Sequence, residues 1–317
     1  KPECVLAEEF DHFRYKNHRF YVMDDYSKTV HVFSDEGKFL HCIGSKGQGP
    51  KEFHWCYQLV VDEHSLYILD MQNRIKKYDL GGNWIKDIKL TKQPYRLLSL
   101  GNGKLACYIS DDQFPKKEDA YSWLVLDAEG DSLTCINTNA WREKKVMQNY
   151  WVENEFSTQY PMTYKEAYND SLYYFTSDTY QPVAYGAILP GKHQLSPDLT
   201  WEEIKNVKHG LRISYIYDTS RYLIFNYKCL CTENIQDVLF GAFDKKTGEF
   251  FNIFNKNGEA KITNDLGGPD FTLLACVYPN LLIGIAEANM CSEEFVQKYQ
   301  VRGDDNQVLV MMECRQR

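Results

Sequence analysis

The chain has 317 residues, 44% of them hydrophobic and 15% aromatic, and carries 44 Asp and Glu against 36 Lys and Arg, a formal net charge of -8. That acidic balance disfavours nonspecific binding to nucleic acid or anionic lipid, and no apolar run approaches the ~20 residues of a membrane helix. Ten cysteines in 317 residues are too sparse for a disulfide framework and read as small buried hydrophobes with reduced thiols, Cys42, Cys107 and Cys276 among them.

In chain order, Arg19 to Ile43 recurs at Ser65 to Leu90. Phe20-Tyr21-Val22-Met23-Asp24 matches Leu66-Tyr67-Ile68-Leu69-Asp70 at an offset of 46, and Val30 to Phe39 matches Ile75 to Trp84 at 45. A repeat near that length with several strands per unit predicts a propeller blade, a unit that cannot bury its faces alone. Six segments read as the second strand of a blade: Phe20–Asp24, Leu66–Asp70, Lys104–Ile109, Ser171–Phe175, Arg221–Asn226 and Leu281–Ala286. Third strands follow at Val30–Phe33, Ile75–Tyr78, Trp123–Leu126, Pro182–Ile188, Leu239–Phe243 and Val308–Met312. Tight Gly turns then lead to fourth strands such as Lys38–Ile43 and Trp84–Leu90, since Gly supplies the positive φ a hairpin turn needs.

The fold expected is all-β: a six-bladed propeller in one domain, residues 1–317, with four antiparallel strands per blade. The sixth unit lacks a fourth strand, and Cys4 to Ala7 is expected to supply it and close the ring. Two short helices are expected, at Asp198–Val207 and at Ser292–Tyr299, the second capped by Ser292.

The end of the first unit reads Gly44-Ser45-Lys46-Gly47-Gln48-Gly49-Pro50-Lys51-Glu52-Phe53. This GxKGQGPxEF string resembles the hallmark of the six-bladed, NHL-like β-propeller proteins of Bacteroidetes, and the Asp304 to Val310 tail is similar to their closing strand, with Gln307 where Pro is usual. The resemblance spans the chain and is strongest in the first two units. It implies export, to the periplasm or the outer membrane, often as a lipoprotein. The chain starts at Lys1 without Met, so a preceding segment, lipid-anchored or cleaved, is expected.

In a propeller the second-to-third and fourth-to-first connections share one face. The long connections Ser110–Tyr121, Asn226–Asp237 and Glu287–Asn306 fall there, and loops on a rigid scaffold are where binding concentrates. The first two units present Asp24, Asp25 and Lys28, and Asp70, Gln72 and Arg74, on that face. Asp24 and Asp70 are either ligand groups or turn caps, with caps preferred. Lys46 and Gln48 lie in the Gly-rich loop, which lacks the Gly-Lys-Ser/Thr ending of a phosphate cradle; its glycines are expected to let the chain cross between blades. Phe114, Tyr121, Tyr180 and Tyr227 are candidate stacking aromatics.

Eight histidines form no metal-spaced pair, and neither a nucleophile elbow nor a reactive-Cys context occurs. A calcium ion held by carboxylates around the axis is left open; no other cofactor is expected. The function expected is non-catalytic binding of a glycan, peptide or envelope protein on the long-loop face. The alternative is a metal-dependent lactonase- or lyase-like propeller enzyme with its site at the channel mouth.

Overall fold

The computed structural model describes residues 12–24, 26–110, 113–137, 155–156, 163–165, 170–176, 178–189, 191–193, 207, 210–229, 238–265, 267–277, 279–302 and 307–314. The protein is an all-β, six-bladed propeller, built from six small antiparallel sheets. Three sheets lie in a unit of residues 1–143 and three in a unit of residues 144–317.

In the first unit, blade one consists of β1 (Phe13–Lys16), β2 (Arg19–Asp24), β3 (Thr29–Ser34) and β4 (Phe39–Ile43) in that spatial order. Blade two repeats it with β5 (Gln58–Val61), β6 (Ser65–Asp70), β7 (Arg74–Asp79) and β8 (Trp84–Lys89). Blade three has β9 (Arg96–Gly101), β10 (Lys104–Tyr108), β11 (Trp123–Leu126) and β12 (Ser132–Ile136). Asp24 and Asp70 both end a second strand. The repeat offset drops from 46 to 45 because the turn after Asp24 has one residue more than the turn after Asp70.

Burial follows strand position. Every residue of β6 is buried, because a second strand has a sheet neighbour on each side and a blade packed on each face. The outer β4 alternates between half-buried and exposed, as a strand with one free edge and one covered face does. The core is therefore divided into layers between blades. Tyr21, Met23, Val32 and Ile43 of blade one pack with Leu59, Leu66, Ile68 and Tyr78 of blade two. Val60, Tyr67, Leu69 and Ile75 pack in turn with Leu97, Leu105, Cys107 and Leu126 of blade three. The turn from third to fourth strand is the same in these three blades: Ser34, Asp79 and Asp127 each receive the N–H of a Gly three residues on, Gly37, Gly82 or Gly130.

In the second unit, blade five is β17 (Leu211–Asp218), β18 (Tyr222–Cys229), β19 (Val238–Asp244) and β20 (Phe250–Ile253). Blade six is β21 (Thr272–Val277), β22 (Leu281–Ala286) and β23 (Val308–Glu313). The expected closing strand, Cys4 to Ala7, lies outside the described residues, as does most of the expected helix at Asp198–Val207. The other expected helix forms: α1 (Glu293–Tyr299) is capped by Ser292, whose Oγ accepts the Phe295 N–H at 3.2 Å.

Blade four differs from the sequence reading. Its sheet runs β13 (Glu155–Phe156), β14 (Thr163–Lys165), β15 (Ser171–Phe175), β16 (Pro182–Ala187). Ser171–Phe175 and Pro182–Ala187 are thus third and fourth strands, not second and third. Burial agrees: all of β14 is buried, as is β6, and β16 is exposed along most of its length, as are β12 and β20. The two-residue β13, which packs on β17, carries too little pattern to be seen in sequence. Cys42 also departs from expectation. It lies on the solvent side of the outer strand β4, whereas Cys107 and Cys276 are buried.

Candidate functional site

In the first unit the second-to-third and fourth-to-first connections meet at one end of the blades, and buried carboxylates hold them there. Asp24 takes the Tyr26 N–H on Oδ1 at 2.9 Å and the Ser27 hydroxyl on Oδ2 at 2.7 Å. Asp70, fully buried, does more. Its Oδ1 accepts the N–H groups of His54 at 3.1 Å, Trp55 at 3.0 Å and Met71 at 2.8 Å, and its Oδ2 accepts Arg74 Nη2 at 2.5 Å. Buried charge of this kind survives only when its lone pairs are filled. One carboxylate thereby ties the connection between blades one and two to the turn of blade two.

That tie brings together three segments, 26–28, 54–57 and 71–73. Trp55 and Met71 give their N–H groups to the same oxygen atom, and the Tyr57 N–H binds the Leu69 carbonyl at 2.8 Å. Lys28 of the blade-one turn is buried, with its Nζ 3.7 Å from the centroid of the Trp55 ring. Cation and indole attract through the ring quadrupole, so Lys28 fixes the indole from one side. Four large side chains face solvent from these segments: Tyr26 at 92%, Trp55 at 47%, Tyr57 at 43% and Met71 at 43%. With Ser27 and Gln72, also exposed, they make an aromatic platform without an exposed charge among its described residues. Sequence reasoning placed the turns that hold Tyr26 and Met71 on this face but singled out none of the four as a ligand group. The signal was there: large apolar residues sit at turn positions that a propeller normally gives to Gly, Asn, Asp or Ser.

Of the residues singled out from sequence, Lys28 and Gln72 belong to the platform, and Asp24, Asp70 and Arg74 lie beneath it as supports. Asp25 lies outside the described residues. Lys46 and Gln48 are exposed, but on the outer stretch of the connection, where Lys46 bridges Phe53. There the Gly-rich motif wraps blade two. Lys76, fully buried, gives Nζ hydrogen bonds to the carbonyls of Pro50 at 2.9 Å and Gly49 at 3.4 Å, and pairs with Asp87 at 3.1 Å. The Glu52 carboxylate takes the Gly49 N–H at 2.8 Å, and the Tyr78 hydroxyl binds the Lys51 carbonyl at 3.2 Å. Gly44, at φ 70, has no room for a Cβ beside the Phe53 ring. The motif is an interblade latch whose carbonyls point at a buried ammonium.

The stacking aromatics fare differently from expectation. Phe114 is buried at 3% in the core layer between blades two and three, edge-on to Tyr121 at 4.8 Å and under Lys92, so it offers no ring to a ligand. Tyr121 packs against that same layer. Tyr180 lies in the turn between β15 and β16, a third-to-fourth connection once blade four is correctly ordered, and so on the opposite face from the one expected. Tyr227, in β18, turns its hydroxyl across the sheet to Asn252 on β20 at 2.8 Å.

In the second unit, Asp218 at the end of β17 accepts the hydroxyls of Thr163 and Tyr185 at 3.0 Å each and pairs with Lys245. Burial first, and Asp218 second, push the Tyr185 phenol up, so it stays protonated. Burial likewise pushes the Cys276 thiol up to about 12, far from a nucleophilic thiolate. The contacts join blades four and five as a structural clasp. Among the described residues no three His, Cys, Asp or Glu side chains gather as a metal-binding group, and no helix is long and apolar enough to cross a membrane.

Sheets and connections together define a six-bladed β-propeller with a loop platform whose described exposed residues are uncharged. The chain belongs to the family described as "Domain of unknown function (DUF4934)", whose model matches residues 1–313. Among solved structures it is similar to a Bacteroides fragilis protein predicted to be exported, at 16% identity and a TM-score of 0.70, covering 99% of this chain and 93% of that one. It is also similar to a member of the DUF4221 family from Bacteroides vulgatus, at 14% identity and a TM-score of 0.58, covering 99% and 95%. At such identities the likeness is one of fold. No curated protein matches the sequence.

Proposed function

We propose that this chain is a non-catalytic binding propeller of the bacterial cell envelope, which holds a glycan, peptide or partner protein on the face of its second-to-third and fourth-to-first connections. The observation that carries the reading is the exposure of Trp55 at 47% on a backbone pinned by a buried carboxylate. A solvent-facing indole on a rigid mount is poorly explained by folding alone, and recognition surfaces are enriched in such anchors. Export, to the periplasm or the outer membrane, is supported by the fold shared with a predicted exported protein of Bacteroides fragilis.

Two variants test the face. Trp55→Ala with Met71→Ala strips the platform, and Leu40→Ser alters an exposed apolar residue on the outer strand β4. Binding to fractionated envelope glycans, peptides or proteins should fall in the first variant and hold in the second. Equal binding by both variants would contradict the assignment.

A further inference from the structure

The platform's charge pattern narrows its ligand, if the binding reading above holds. Segments 26–28, 54–57 and 71–73 expose Tyr26, Ser27, Trp55, Tyr57, Met71 and Gln72, and none of these is charged. The described charged groups at the same place, Asp24, Lys28, Asp70 and Arg74, are buried or nearly so. On a chain of net charge -8 an uncharged patch of this composition complements an uncharged ligand. Lys28 occupies one side of the Trp55 ring, which leaves the other side for a ligand and disfavours a second cation there.

We propose that the platform binds a neutral saccharide, with the apolar C–H face of a sugar ring stacked on Trp55. Its hydroxyl groups have partners of the right kind in the Gln72 amide, the Ser27 hydroxyl and the Tyr26 and Tyr57 phenols. An extended peptide fits less well. It would want an accessible unpaired strand edge; β2 and β6 are each paired on both sides, and the edge of β5, which starts beside Tyr57, lies against β1 and β9 of the neighbouring blades. Gln72 is held in place by its own turn, at φ 65, whose next residue Asn73 donates its N–H to Gln93 Oε1 at 2.7 Å. Lys28 is a positioning residue: it sets the indole and makes no contact with the sugar.

The test is a panel of neutral oligosaccharides, their uronic-acid-bearing counterparts and a library of uncharged peptides, titrated against the wild-type protein, Trp55→Ala and Tyr26→Ser. Tyr26 is 92% exposed, so its variant keeps the readout valid should Trp55→Ala fold poorly. Neutral oligosaccharides should bind, with blue-shifted tryptophan fluorescence, and Trp55→Ala should weaken binding by about tenfold or more, the loss of one well-made ring contact. Absence of neutral-saccharide binding at millimolar concentration, or tighter binding of uronates, would overturn the proposal. Peptide binding that Trp55→Ala abolishes would overturn the saccharide class and leave the binding face standing. Saccharide binding indifferent to both variants would overturn the platform and the face together.

Discussion

The buried ammonium of Lys76 donates to the Pro50 carbonyl at 2.9 Å. This contact gives the Gly-Pro motif between blades one and two its structural role. Lys76 also pairs with Asp87, which holds the Trp84 indole N–H at 2.9 Å. Removing the lysine leaves the Pro50 and Gly49 carbonyls without this donor and strips one cation from the half-buried Asp87, which keeps the Trp84 N–H and Arg74 at 3.6 Å. Lys76→Met should lower unfolding free energy by about 3 kcal/mol, as broken buried pairs do. Lys86→Ala, which removes the half-buried partner of the exposed Glu129, should leave the urea midpoint nearly unchanged.

Gly44 makes a second claim about the same latch. An added Cβ would stand 2.5 Å from the Phe53 ring at a backbone φ of 70. Gly44→Ala should cost about 2 kcal/mol or more, from strain plus overpacking. Gly258→Ala, at φ 79 with open space around it, should cost only the strain, about 1 kcal/mol. Equal losses in the two variants would show that Phe53 moves aside freely.

The loop after β10 is anchored by Phe114. Phe114→Ala should destabilise the first unit by about 3 to 5 kcal/mol, the usual cost of emptying a buried aromatic site. Lys117→Ala, at the exposed tip, should be neutral in the same denaturation measurement.

His31 predicts a pH dependence. Burial holds its imidazole below the ordinary 6.5, against a smaller upward pull from Asp24. The unfolded chain therefore binds the proton more readily than the folded one. Its contribution to stability is full above 6.5 and is lost as pH falls from there toward the lowered folded value. His31→Gln should flatten the fall in melting temperature between pH 7.5 and 5.5, about the window in which an ordinary His titrates. An unchanged slope would mean that other groups govern it.

In five blades the second and third strands were readable because burial on both sides makes them apolar runs with fixed turn chemistry at their ends. Five blades carry that signal in order. Blade four does not, because its inner strand is two residues long and its second strand three, so the exposed outer strand Pro182–Ala187 was mistaken for an inner one. Tyr180 was carried to the wrong face by the same shift. The platform was hidden for another reason. Asp70 looks like an ordinary turn carboxylate in sequence, and nothing local says that its oxygen collects His54 and Trp55 from 16 and 15 residues upstream. Phe114 looked like a loop aromatic available for stacking, and only the packing between blades two and three shows it buried.

The binding reading is tested most directly by thermal unfolding of the wild type and Trp55→Ala, side by side, across oligosaccharides, peptides and envelope extracts. A ligand at ~100 times its dissociation constant adds about 2.7 kcal/mol of stability, enough to raise the melting temperature visibly. The wild type should show a rise that Trp55→Ala loses while its ligand-free melting temperature holds. A rise of the same size in both proteins would place the ligand elsewhere and contradict it.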